Sequence, residues 1–413
     1  MKTKRGASLI VALGVLAALL AVLAYAAEDQ RIAIMAEQNR MEGRRAELAA
    51  EAGIQWSLEE MAEYVTTSSV TLADQWATDT WYGEQKFEVG NTSFKVQIVD
   101  AASFININTV QETQLENMGL NDTQVDSLLD WRSTGETPRA NGAKDAYYNA
   151  LPNPYNAKLG NFDSVDELLQ VQGFNGAYLY NTPQENNVVV QNANGGESLP
   201  ALADCCTVDS VSPNVSSSGT AKLNANTATA AQMIQRGIPA PVATSIVSRR
   251  SRGTFSTMGA LLQSPGISIS NCGTILDNLT VSSSTTISGL INVNTASAAV
   301  LETLPGMTTD IAGAIVEDQT DGITSMSDLA SVSGMTLSVL EQCVDYLTIA
   351  SNVFLVRSVG TAGQTSVALE AVVSITNGTP TIKRISRCLF SDMPTRWNWE
   401  TTTTADNVLV ESK

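Results

Sequence analysis

The 413-residue chain contains no histidine. Its absence removes the usual general base, the Ser-His-Asp and Cys-His nucleophile arrangements, and the histidine-based zinc sites. No G-x-S-x-G, Walker A or S-x-x-K stretch stands in a context that could use it. The 42 Asp and Glu residues remain, but no spacing suggests two acids facing each other across a cleft, as a carboxylate hydrolase requires. Five cysteines are an odd number: Cys205 and Cys206 are adjacent in a loop-like stretch, while Cys272, Cys343 and Cys388 are scattered. In an oxidising compartment they would form one or two bridges with a thiol left over; buried free thiols are the alternative for the scattered three. Arg249, Arg250 and Arg252 form a lone basic cluster in a chain of net charge −18 and pI near 4.4. Such a cluster reads as a solvated helix end, and the overall acidity argues against nucleic acid as the main partner. The chain is expected to perform no catalysis.

The elements that would position these residues begin with an apolar run. Lys2, Lys4 and Arg5 precede Gly6, and the 21 residues from Ala7 to Ala27 carry no charge before Glu28 and Asp29. At 1.5 Å per residue that run matches the roughly 30 Å hydrocarbon core of a bilayer. Basic residues before the span and acidic ones after it place the N-terminus in the cytoplasm and the bulk of the chain outside. Three processing routes fit the run: an uncut anchor, a signal peptide cut after Ala24-Tyr25-Ala26, or a pilin-type leader cut between Gly6 and Ala7 with the helix retained. Residues 28–66 decide among them. They continue as helix without proline, and Ile54, Leu58, Met61 and Val65 form one apolar face. A single rod from Ala7 to Val65 favours the pilin-type leader, with Val11, Leu16 and Leu20 on its membrane and filament portion. Two strands follow: Phe87 and Val89 alternate, Gly90-Asn91 turns, and Phe94, Val96 and Ile98 alternate again.

An internal repeat starts at Phe104. Asn-x-Asn-Thr occurs at Asn106/Asn108/Thr109, Asn224/Asn226/Thr227 and Asn292/Asn294/Thr295, each Thr followed six residues later by Leu115, Met233 or Leu301. Downstream, Leu168, Leu261 and Leu329 each precede Gly173, Gly266 or Gly334 by five residues. Thr227 to Gly266 and Thr295 to Gly334 both span 39 residues, whereas Thr109 to Gly173 spans 64, so the first copy carries a 25-residue insertion. Each Thr is expected to cap a helix. In the third copy, Leu304-Pro305-Gly306-Met307 then turns the chain into a helix over 311–317. Ser325 opens another short helix ending at Gly334, and a last one covers 337–346. Each copy therefore reads as two helix-turn-helix hairpins.

Ile291-Asn292-Val293-Asn294-Thr295 through Leu304-Pro305-Gly306-Met307 to Asp345-Tyr346-Leu347-Thr348 resembles the double helix-hairpin-helix module of competence DNA receptors. That resemblance implies backbone N–H groups offered to DNA phosphates. Here Thr308 stands where a second Gly is usual, and Asp310, Glu317 and Asp318 flank the hairpin. The first copy resembles a different family. Asp130-Trp131-Arg132, Gly142-Ala143-Lys144-Asp145, Tyr147-Tyr148, Pro152-x-Pro154-Tyr155, residues 162–168 and Val171-x-Gly173-Phe174 are similar to the K-type minor pseudopilins of bacterial type II secretion. That resemblance implies a leader ending at Gly6, a mature start at Ala7 and cleavage by prepilin peptidase. It also implies a pilin-like sheet interrupted by helical modules, an inner-membrane anchor, and other minor pseudopilins and the pseudopilus as partners. Val11 stands at the fifth mature position, where most pilins carry Glu to neutralise a neighbour's buried amine. A subunit unable to supply that carboxylate fits a filament tip. The family also implies bound calcium, for which this chain offers Asp130, Glu136 and Asp145, with Lys144 at a position usually acidic.

The expected architecture is α+β: a long transmembrane helix packed on a pilin-like antiparallel sheet, with inserted helix-hairpin-helix (SAM-like) modules. Its segments are a leader (1–6), a membrane helix (7–27), helix continuation and first strands (28–103), module one (104–181), a linker (182–219), module two (220–283), module three (284–350), and closing strands with a tail (351–413). Late strands are expected at 353–358, 367–375 and 381–390. The tail is read as exposed, with Trp397 and Trp399 free to meet the sheet or a partner.

Overall fold

The computed structural model describes residues 4–80, 86–180, 201–388 and Trp397. Its first element, α1, is an unbroken helix of 61 residues, Lys4–Tyr64, roughly 90 Å long. It is the one helix among the described residues long and apolar enough to cross a membrane. Its side chains from 9 to 41 are exposed, and packing begins only at residue 42. From there Ala46, Ala50, Ile54 and Met61 face the sheet, while Leu58 and Val65 lie at the edge of that core.

Among the described residues five strands form one sheet: β1 (Lys86–Val89), β2 (Thr92–Asp100), β3 (Val353–Ala362), β4 (Thr365–Thr376) and β5 (Thr379–Cys388), in that spatial order. Every neighbouring pair is antiparallel. The closing strands thus complete the sheet that the early strands begin. Asn377 and Gly378, both at positive φ, make the two-residue turn from β4 to β5. Phe94, Val96 and Ile98 lie on the face toward α1. There the helix and β3 meet backbone to backbone: a Cβ at Gly53 would stand 2.3 Å from Ser358 Oγ, and one at Gly360 2.0 Å from the Ala46 carbonyl. Trp397 is buried on the sheet against Val359 and Ala368, with the Arg357 guanidinium 5.6 Å from its ring. Trp399 and Phe390 lie outside the described residues.

The helical modules enter after Asp100 and return at Phe354, which are paired across β2 and β3. Adjacent departure and return points let a long insert grow without disturbing the sheet. Each module is closed by a two-residue parallel ladder joining its start to its end: Ile105–Asn106 with Cys206–Thr207, Leu223–Asn224 with Leu279–Thr280, and Ile291–Asn292 with Leu347–Thr348. Two sequence-based boundaries change as a result. Module one runs to 207, and residues 201–219 are not a linker. The helix Leu202–Cys205 and the strand after it pack into the first module, while Val211–Pro213 pairs with Thr286–Ser288. Modules one and three share one core, which also takes in Leu262, Cys272 and Leu276 of module two.

Candidate functional site: the hairpin clamps and the insertion loop

The repeated asparagines are structural clamps. The first Asn of each motif accepts from the backbone N–H of the second in a tight local turn: Asn106 from Asn108 at 2.9 Å, Asn224 from Asn226 at 2.9 Å, Asn292 from Asn294 at 3.0 Å. The second Asn then grips one distant residue by both backbone groups. Asn108 holds Phe162, Asn226 holds Phe255 and Asn294 holds Ile323, each accepting from the N–H and donating to the C=O. These bonds staple the first hairpin of each module to the loop that opens the second. Because the turn occupies the Thr, the helix caps sit two residues later than expected, at Gln111, Thr229 and Ser297.

A third repeated position closes the same turn from the other side. Arg132 donates to the carbonyls of Ile107 and Val110, Arg250 to those of Ala225 and Ala228, and Gln319 to those of Val293 and Ala296. Burial pushes the Arg132 guanidinium down to about 10. Arg250 therefore points inward, and Arg249 lies over the Phe255 ring at 5.6 Å. Of the basic cluster, Arg252 is the exposed member beside an open, polar depression lined by Ser248, Thr254 and Gln263. The hairpin glycines Gly119, Gly237 and Gly306, and Gly173, Gly266 and Gly334 in the second hairpins, all take positive φ.

The insertion in module one is held by an aromatic stack and one lysine. Trp131 meets Tyr148 edge-on at 5.2 Å, Tyr148 stacks on Tyr155 at 5.2 Å, and Trp131 Nε1 donates to Glu167 at 2.9 Å. The Lys144 ammonium, in a residue only 4% exposed, donates to the Asp130 carbonyl and to the carbonyl and hydroxyl of Ser133, both at 2.9 Å. Burial pushes Lys144 downward, and Asp130 and Asp145 oppose that shift.

The three proposed calcium ligands are not brought together. Glu136 is exposed. Asp130 Oδ2 accepts from the Arg139 N–H at 2.9 Å, and Asp145 Oδ1 from the Ala157 N–H at 2.8 Å. Nearby Asp126 is taken by Arg139 at 3.1 Å and the Asn141 N–H at 3.0 Å. Burial raises Asp126, but those donors outweigh it and leave the carboxyl below its ordinary value. Among the described residues no three Cys, Asp or Glu side chains converge as metal ligands. The donor set does not fit calcium, which wants six to eight oxygens.

One buried carboxylate escaped the sequence reading. Asp100, at the end of β2, accepts from Ala102 N–H at 2.9 Å and, on its other oxygen, from Asn292 Nδ2 and Thr295 Oγ1, both at 2.8 Å. It joins the sheet to the third module, and burial raises its pKa. The only hint in sequence was its place at the change from strand to repeat. No cysteine is bridged among the described residues: Cys205, Cys206, Cys272 and Cys343 are buried and Cys388 half-buried. Burial pushes the Cys343 thiol up to about 12. Gly6 and Ala7 lie within the backbone of α1, and Val11, Leu16 and Leu20 are exposed along it.

A long anchor-length helix packed on an antiparallel sheet, carrying helix-hairpin-helix modules between its second and third strands, defines a pilin-like α+β subunit. Residues 106–181 match the family model for the type II secretion system (T2SS), protein K, and residues 288–348 that for the helix-hairpin-helix motif. The first of these matches likens module one, about a fifth of the chain, to the type II secretion protein K domain. A chain in the crystal structure of the GspK-GspI-GspJ complex from the enterotoxigenic Escherichia coli type 2 secretion system is similar at 13% identity. The likeness covers 86% of this chain and 99% of that one, with a TM-score of 0.42. No curated protein matches the chain in sequence.

Proposed function

We propose that this protein is a minor pseudopilin at the tip of a type II secretion pseudopilus, a non-catalytic subunit for assembly and initiation. The observation that carries this reading is the protein K match over 106–181, in a module set between β2 and β3 of a sheet backed by α1. Prepilin peptidase cuts between Gly6 and Ala7, and the 7–27 span then anchors the subunit in the inner membrane. The N-terminus is cytoplasmic and the bulk of the chain periplasmic. Val11 at the fifth mature position supports the tip, because the subunit offers no carboxylate to a neighbour's amine. Other minor pseudopilins are its partners. The lack of histidine supports a role without chemistry. N-terminal sequencing of the protein purified from membranes tests the reading. A start at Ala7 is expected, and a start at Ala27 or an intact Met1 overturns it.

The helix-hairpin-helix match over 288–348 favours a second reading, a membrane-anchored DNA receptor. Its test is an electrophoretic shift with the detergent-solubilised chain. Salt-sensitive DNA binding below micromolar would replace the first reading with this one.

A further inference from the structure

We propose that the Lys144 ammonium is the resident cation of the module-one insertion, filling the oxygen cage at the end of the preceding helix so that this loop folds without a metal ion. All three ammonium protons have oxygen partners, the Asp130 carbonyl and the Ser133 carbonyl and hydroxyl. Asp130 and Ser133 stand at the C-terminal end of the helix Asp122–Arg132, where unpaired carbonyls and the helix dipole favour positive charge. Asp130 is itself buried at 2% exposure, so a cation beside it is needed to balance its charge. A bound metal would have to recruit side-chain carboxylates, yet Asp130 Oδ2, Asp145 Oδ1 and both Asp126 oxygens already accept from protein N–H donors. A Cβ at Gly142 would come within 1.9 Å of Asp130 Oδ2, so the loop backbone presses against that oxygen and closes the approach from its side. The lysine arrives on the same loop that it closes, which makes cation binding intramolecular and independent of the surrounding concentration.

The test is thermal unfolding of the full chain in detergent, with a chelator and then with millimolar calcium, for wild type, Lys144→Met and Lys144→Ala. The wild-type melting temperature is expected to be the same in both solutions. Lys144→Met, which keeps the stem and removes the charge, is expected to melt lower by roughly 2–4 °C, since the unfolding entropy of a chain this long makes each kcal/mol worth only about 1 °C. Faster proteolysis of residues 133–160 is expected alongside. A wild-type protein stabilised by calcium, or a Lys144→Met protein that melts like wild type, would overturn the proposal. Should both variants fail to fold, calorimetric titration of wild type with calcium decides alone: no heat of binding supports the resident lysine, and a saturating site refutes it.

Discussion

Modules one and three close the same turn with different chemistry. In the first, a partly buried guanidinium, Arg132, holds the two carbonyls that follow the first Asn; in the third, the neutral amide of Gln319 holds the equivalent pair in a fully buried setting. Module two uses Arg250 in the manner of module one. The position therefore requires two N–H donors, not a positive charge. Basic residues at this point in a hairpin module are thus no sign of a polyanion surface, and two of the three arginines in the apparent cluster are already committed internally.

The comparison can be broken most severely at the clamps. Asn294→Ala is expected to cost about 2–5 kcal/mol, because it orphans both backbone groups of buried Ile323. Asn226→Ala, in a half-buried site, should cost less than half as much in thermal unfolding; equal losses would refute the ranking by burial. Next comes Arg132→Met, expected to lose about 1–3 kcal/mol, with Arg132→Gln recovering part of the loss if donors rather than charge matter. Alkaline pH separates the modules a third way. The Cys343 thiol of module three is raised to about 12, so its stabilising share is whole below the unfolded value near 8.5. That share is then lost at about 1.4 kcal/mol per pH unit as the pH climbs toward 12. The Lys222 amine of module two is lowered by burial to about 8, so its charge opposes folding at neutral pH and that cost fades between pH 8 and about 10.4. Between pH 8 and 10, Cys343→Val should flatten the fall in melting temperature and Lys222→Met should steepen it. The smallest expected effect is Gly237→Ala, about 1 kcal/mol from the left-handed backbone alone. Gly334→Ala should exceed it, because its Cβ would press on Ile311 at 3.1 Å.

Much of this arrangement was legible, and the gaps have physical reasons. The rod, the alternating strands and the repeat announce themselves because apolar periods of 3.6 and 2 survive in the sequence. The helix–sheet contact is harder to read. It depends on Ala46, Ala50, Gly53 and Gly360, small residues that permit close approach while adding little to a hydrophobic stripe. The Thr caps were misplaced by two residues because an Asx turn uses up the start of the motif before the helix begins. The presumed linker hid Cys206–Thr207, since a two-residue parallel ladder has no period to detect. The calcium ligands followed from family likeness, and Lys144 was the local signal against them. Asp100 could not be singled out among 42 acids, because its importance lies in partners some 190 residues away.

That carboxylate has a mechanical consequence. Roughly 250 residues of helical cargo hang from the sheet by two adjacent strands, β2 and β3, and Asp100 sits where they leave it, bonded to the third module on one oxygen and to its own strand's exit on the other. A load passing along the rod reaches the cassettes partly through this stem and partly through side bonds such as Arg384 to Asp209, so Asp100 works as a shear pin beside them: while it holds, stem and third cassette turn together.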